Sequence, residues 1–153
     1  MFKSIVLLSI TMMLVFVVTD LIEKTESLSI ENTFPESEVE CLAKNIYFEA
    51  RGESLKGMQA VANVVMNRVR RTGNSVCTIV YQPYQFSWTL YKHAIDDYDS
   101  FNKAKEIASE ALDNKLKDIT NGSTHFHAVY VDPEWAHQLK YTKTIGNHIF
   151  YKG

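Results

Sequence analysis

Cys41-Leu-Ala-Lys-Asn-Ile-Tyr-Phe-Glu-Ala-Arg-Gly-Glu53 decides the fold, because it reads as the end of a helix that is apolar on two sides. Ser37 and Glu40, just after Pro35, have the S-x-x-E spacing of a capping box and predict where that helix begins. Gly52 is a natural left-handed stop, which puts Glu49 in the last turn. At about 100° per residue, Val39, Leu42, Ile46 and Ala50 share one face with Glu49 at its edge, and Cys41 and Phe48 fall nearly opposite. A helix apolar on two sides belongs inside a domain rather than on its surface. A carboxylate at its end then needs a reason to be there.

Working outward, Ser54 can cap a second helix to about Arg71, with Leu55, Met58, Ala62, Val65, Met66 and Val69 inward. Lys56, Gln59, Asn63, Asn67 and Arg70 fall on the other side and read as a solvated face. A short helix over Ser75–Tyr81 carries Cys77 back towards the first, and Pro83–Trp88 is an aromatic loop. His93–Ser100 is a polar connection, and Phe101–Leu116 is a third long helix with Phe101, Ala104, Ala108, Ala111 and Leu112 inward. Asn121-Gly122 marks a turn. Extended stretches follow at Thr124–Val131, Lys140–Thr144 and His148–Tyr151. The expected class is α+β, mainly helical with a small C-terminal antiparallel β element.

The 153 residues, 46% of them hydrophobic, suffice for one domain with a real core. A net charge of −2 gives no electrostatic case for nucleic acid as a partner. Lys3 followed by the apolar run Ile5–Val18 has the layout of a secretory signal. The run is short for a membrane span, which needs about 20 apolar residues. Val17-Val18-Thr19-Asp20 is a poor cleavage site, so residues 1–20 are expected to be either a signal peptide or an uncleaved signal anchor in the inner membrane. Residues 21–34 read as a polar linker and 35–153 as the functional domain. In an exported chain, Cys41 and Cys77 fit a single disulfide, contributing about 3–4 kcal/mol in the chain-entropy model.

Glu49 is the first candidate for chemistry. A glycosidic oxygen leaves poorly unless protonated, so an acid that cleaves such a bond must keep its proton near neutral pH. A helix C-terminus disfavours negative charge, and Ile46 and Tyr47 would desolvate the carboxyl, while Arg51 would oppose them by folding back. Periodicity alone favours the plainer alternative, a surface carboxylate at a helix end. Glu53 could be a second carboxylate or an acidic residue favoured near the start of the next helix. His125 and His127 alternate on one strand face, where they could contact substrate or, with His137 or His148, bind a metal. No zinc-spacing motif accompanies them. Phe86 and Trp88, in a proline-bounded loop, are candidates for exposed ligand-binding rings.

Several blocks in order resemble the bacterial and phage cell wall hydrolases of the spore-cortex-lytic type. These are Asn45-x-x-x-Glu-Ala-Arg-Gly-Glu53, Gly57-Met-Gln-Ala-Val-Ala-Asn-Val-Val-Met-Asn-Arg-Val69 and Val80-Tyr-Gln-Pro83 with Phe86. Thr124-His-Phe-His127, Tyr130-Val-x-Pro-x-Trp-Ala136 and Ile145-Gly-x-His-x-Phe150 complete the match over nearly all of Cys41–Tyr151. The resemblance implies a lysozyme-like fold and a lytic transglycosylase without cofactor. In such an enzyme one glutamate, matching Glu49, cuts the bond between N-acetylmuramic acid and N-acetylglucosamine in peptidoglycan. Glu53, Gln82, Phe86, Trp88, His125, His127 and Tyr130 are then the candidates for the substrate groove. With it, the short leader at Ile5–Val18 suggests a phage endolysin or a cell-envelope remodelling enzyme in the periplasm or cell envelope, expected to act as a monomer. Three rivals remain at this point. One is a water-using muramidase with a second carboxylate among Glu53, Asp96, Asp97 or Asp132; the others are a zinc amidase and a non-catalytic peptidoglycan-binding protein.

Overall fold

The computed structural model describes residues 36–153; the expected leader and linker at 1–34 lie outside the described residues. Four α-helices come first: α1 (Glu36–Ala50), α2 (Leu55–Thr72), the short α3 (Val76–Val80) and α4 (Tyr98–Leu112). Three strands follow, β1 (His125–Ala128), β2 (Lys140–Ile145) and β3 (His148–Lys152), with 3-10 turns at Ser87–Leu90 and Glu134–Gln138. The expected mainly helical α+β class is what forms. Among the described residues no helix is long and apolar enough to cross a membrane.

α1 is central, packing against α2, α3 and α4. Leu42, Ala43, Ile46 and Tyr47 are fully buried along it, and Ala104, Ala108 and Ala111 of α4 keep the opposing surface flat enough for close approach. Two details of its ends differ from expectation. The helix already includes Glu36 and Ser37, so it begins before the expected cap position, and Glu40 pairs with Lys44 one turn on (3.3 Å). Gly52 is not left-handed; only Gly73, Gly122 and Gly146 are so among the described glycines. The chain leaves α1 because the Ala50 carbonyl accepts the Glu53 N–H (2.9 Å) and Ser54 Oγ caps α2 by accepting from Gly57 N (3.3 Å).

The expected disulfide is present, Cys41 to Cys77 with Cα atoms 5.3 Å apart. Beside it, Glu38 Oε2 accepts the Val76 N–H at 2.6 Å, so α3 is tied to α1 by a covalent and a charge-assisted contact.

α2 is covered on both sides. Met58, Val61, Ala62 and Val65 join the helical core, while Ala60 and Val64 meet Phe150, Phe126 and Ile145 of the sheet. This corrects the solvated face expected there at Asn63 and Asn67, while Lys56 and Arg70 are exposed as expected. Asn63 is buried and accepts the Ile119 N–H (3.0 Å), and Asn67 donates to Asp118 and to the Ser123 carbonyl (3.2 and 3.0 Å). The segment before β1 therefore takes its hydrogen bonds from the polar stripe of α2. Leu55, expected inward, is exposed in the first helical turn.

The sheet is antiparallel in the order β1-β3-β2, so the last strand to be made is the central one. Its register pairs His125 with Tyr151 and Ala128 with His148 across β1 and β3. Gly146, at φ 56°, closes the β2–β3 hairpin. Side chains alternate, so His125, His127 and Tyr151 occupy one face, and Phe126, Ala128, His148 and Phe150 the face towards α2.

Candidate active site

The end of α1 and the turn after it form one wall of a cleft of about 300 Å³, through Glu49, Ala50, Arg51, Gly52 and Glu53. The opposing wall comes from the end of β1 and the hairpin turn, through Ala128, Tyr130, Asn147 and His148. Glu49 is half-buried at the junction. That burial raises its pKa from 4.5 to about 7, with Arg68 pulling the other way. The carboxyl therefore holds a proton for a substantial part of the time at neutral pH, and its anion is also accessible there.

The cation acting on Glu49 is not the expected one. Arg51 turns away, donating to Tyr47 Oη (2.9 Å) and to Asp96 Oδ1 (3.1 Å). Its place is taken by Arg68 of α2, whose Nε donates to the Thr124 carbonyl (2.7 Å) and whose guanidinium lies over the Phe86 ring (5.2 Å). Burial lowers the Arg68 pKa to about 10, and Glu49 counters it. Nη1 of Arg68 is buried with no hydrogen-bond partner among the described residues. A buried guanidinium fixed at one nitrogen and unspent at another keeps the anion of Glu49 within reach without neutralising the acid outright. The sequence does not single out Arg68, although a signal was there: at about 100° per residue it falls beside Val61 and Val64 on an apolar side of α2, away from Lys56 and Arg70.

Glu53 also lines the cleft, but both its oxygens are engaged. Oε1 accepts from Asn147 Nδ2 (2.9 Å) and Oε2 from the Asn147 amide (3.2 Å). The side chain reaches across Gly57 and Gly146, and at either glycine a Cβ would overlap it. Glu53 thus latches the turn after α1 to the hairpin turn, while the Asn147 carbonyl accepts the Val129 N–H (2.9 Å). His148, next to this latch, is buried, and its Nδ1 lacks a partner among the described residues. Burial lowers its pKa, with Glu53 opposing and His127 assisting, so a neutral imidazole borders the cleft.

The remaining candidates divide. Tyr130 is on the cleft wall and largely exposed. Phe86 is not an exposed ring: it is 3% exposed and packs on Phe126 beneath Arg68, drawn inward by the apolar sheet face. Trp88 lies in a second hollow, stacked on Phe48. Gln82 is exposed in the turn after α3 and lines neither hollow. His125 and His127 are on the sheet face away from Ala128 and His148, packed against Trp135. His127 Nε2 is within 3.0 Å of Tyr151 Oη, and burial, then Arg68 and Arg71, lower the His125 pKa. His137 pairs with Asp132 (3.2 Å), so the histidines are split between faces, and no group of three metal-ligating side chains is gathered among the described residues.

Comparison with known proteins identifies the family. The family model described as Cell Wall Hydrolase matches residues 52–151, beginning in the turn directly after Glu49. The spore cortex-lytic enzyme of Bacillus subtilis (strain 168) is 30% identical over 126 residues, covering 76% of this chain and 38% of that protein. The Bacillus cereus enzyme of the same name is 28% identical over 129 residues, covering 81% and 48%. The chain thus spans less than half the length of these curated relatives. Among solved structures, the catalytic domain of the germination-specific lytic transglycosylase SleB from Bacillus anthracis superposes with a TM-score of 0.65 at 25% identity, over 80% of this chain and all (100%) of that one. The catalytic domain of the Bacillus cereus SleB protein gives 0.63 at 25% identity, over 80% and 95%. With the family model covering well over half of its residues, the chain belongs to the cell wall hydrolase family.

Proposed function

We propose that residues 35–153 are the catalytic domain of an exported lytic transglycosylase that cuts peptidoglycan strands between N-acetylmuramic acid and N-acetylglucosamine. The observation that carries this reading is Glu49: a carboxyl held near pKa 7 in a cleft whose other carboxylate, Glu53, has both oxygens engaged. Protonated Glu49 gives its proton to the glycosidic oxygen as the bond to muramic C1 breaks and the N-acetylglucosamine alcohol departs. The Glu49 anion then takes the proton of the C6 hydroxyl while O6 bonds to C1, closing a 1,6-anhydro ring and restoring the acid. No water enters the balance, so one residue near neutral pKa serves as acid and then as base. Arg68 favours the anion in the second half of this cycle.

Hydrolysis of the same bond is the second reading, favoured only by Glu53 lining the same cleft. The other carboxylates that could assist water are spent elsewhere. Asp96 accepts from Tyr47 Oη (2.6 Å), Asp97 caps α4 through Ser100 N (3.0 Å), and Asp132 pairs with His137. Mass spectrometry of digested peptidoglycan separates the two, since anhydro ends mean transglycosylation and reducing ends mean hydrolysis. Glu49→Gln should lower the rate by about a thousandfold or more, and full activity in that variant removes the acid assignment. Residues 1–20 are proposed to direct export and, if retained, to tether the domain to the inner membrane. Detection of a mature N-terminus near Leu21 would exclude the tether.

A further inference from the structure

Phe48, the neighbour of Glu49, belongs to two hollows at once. One is the cleft; the other, of about 360 Å³, is walled by Phe48, Trp88, Tyr81 and His93 and flanked by Lys44 and Lys92. Its aromatic wall is built rather than incidental. Trp88 stacks on Phe48 (centroids 4.8 Å apart, planes at 29°), and its indole N–H donates to Oδ1 of buried Asn45 (3.1 Å). Tyr81 meets Trp88 edge-on at 5.8 Å, and His93 leans on Phe48 at 5.6 Å. The rings are therefore set before any ligand arrives. In a chain of net charge −2, this hollow has two lysines and no acidic residue in its lining. Glu40, the partner of Lys44, sits one helical turn back outside it.

Such a surface suits a ligand with small apolar groups and free carboxylates. Resting on the lytic reading above, the chemistry nearest at hand is the peptide carried by muramic acid. That peptide hangs from the sugar whose C1 is attacked, and it presents methyl groups and carboxylates. We propose that the hollow beyond Phe48 binds the anionic stem peptide of the muramic acid at the scissile bond, with Lys44 and Lys92 receiving its carboxylates and the Phe48–Trp88 stack its methyl groups. The enzyme then selects peptide-bearing strands over bare glycan.

The test compares soluble glycan strands carrying their peptides with the same strands stripped by an amidase, following new chain ends by mass spectrometry. Wild type should favour the peptide-bearing strands by about tenfold in kcat/KM, equivalent to about 1.4 kcal/mol. The Lys44→Met/Lys92→Met double variant should bring that ratio close to one. The single Lys92→Met change, at an exposed side chain, should lower the ratio part of the way. Equal rates of wild type on both substrates, or a ratio unmoved in both variants, overturns the peptide site while leaving the glycan chemistry standing. Failure of wild type to cut either substrate overturns the lytic reading and this inference with it.

Discussion

Replacing Glu49 by Gln should stabilise the protein above neutral pH and change almost nothing in acid. The unfolded carboxyl releases its proton near 4.5, the folded one only near 7. Between those values the native state holds a proton that the unfolded state has lost, so stability declines as pH rises through the window and stays lower above it. The interval, at about 1.36 kcal/mol per pH unit, amounts to about 3 kcal/mol. Arg68 is already included in the folded value, and screening by water in the open cleft brings the expected gain down to about 2 kcal/mol. Glutamine has the same shape and never ionises, so it escapes this cost. Urea unfolding of both proteins at about pH 4, 6 and 8 gives the difference directly, with every other titrating group cancelling. A variant that is less stable than wild type at about pH 8, or a difference that does not move with pH, would refute the desolvated-acid account.

Arg68→Met keeps volume while removing the cation that holds the Glu49 pKa down. The alkaline limb of the pH–rate profile should therefore move up by about one pH unit, and an unmoved limb would show that Arg68 does not act on the acid. Cys41→Ser with Cys77→Ser opens a loop whose ends are 36 residues apart and should cost about 3–4 kcal/mol in denaturant unfolding. Gly146→Ala places a Cβ against Glu53 at a left-handed backbone position, so a loss of about 2–3 kcal/mol, with a weakened rate from the displaced latch, is expected by urea unfolding and turnover. Tyr47→Phe strips the shared partner of Asp96, Asp97 and Arg51 and should cost about 1–3 kcal/mol, read as a lower thermal midpoint.

Much of this fold could be read from local pattern. The central character of α1, the capping of α2 by Ser54, the bridge from Cys41 to Cys77 and the C-terminal strands all follow from periodicity, cap chemistry and cysteine number. What escaped depended on which surface folds over which. The polar stripe of α2 looked solvated because Asn63 and Asn67 find their partners some fifty residues later, at Ile119 and Ser123. Phe86 looked available because its loop is proline-bounded, yet Phe126 and Arg68 enclose it. Glu53 was ambiguous for the same reason. Its role is set by Asn147, a residue with nothing in its local sequence to mark it as a partner for a distant carboxylate. Arg51 and Arg68 exchange roles because Tyr47, although adjacent in sequence to the acid's neighbours, sends its hydroxyl to the start of α4 and takes Arg51 along. The histidine pair was correctly placed on a single strand face, but a period of two cannot say which face the cleft is on.

The cleft's two walls are far apart in the order of synthesis. Glu49 and Arg68 lie on successive helices, whereas Ala128, Tyr130, Asn147 and His148 come from the end of the chain, and the last strand is the middle of the sheet. Until that strand is inserted, β1 and β2 have no neighbour to pair with, and the wall carrying Asn147 and His148 is not in place beside the carboxyl. Less burial lowers the pKa of such a carboxyl towards the ordinary glutamate value. On the proposed role of Glu49, its competence as an acid arrives late, conferred on an early residue by the completion of the C-terminal sheet.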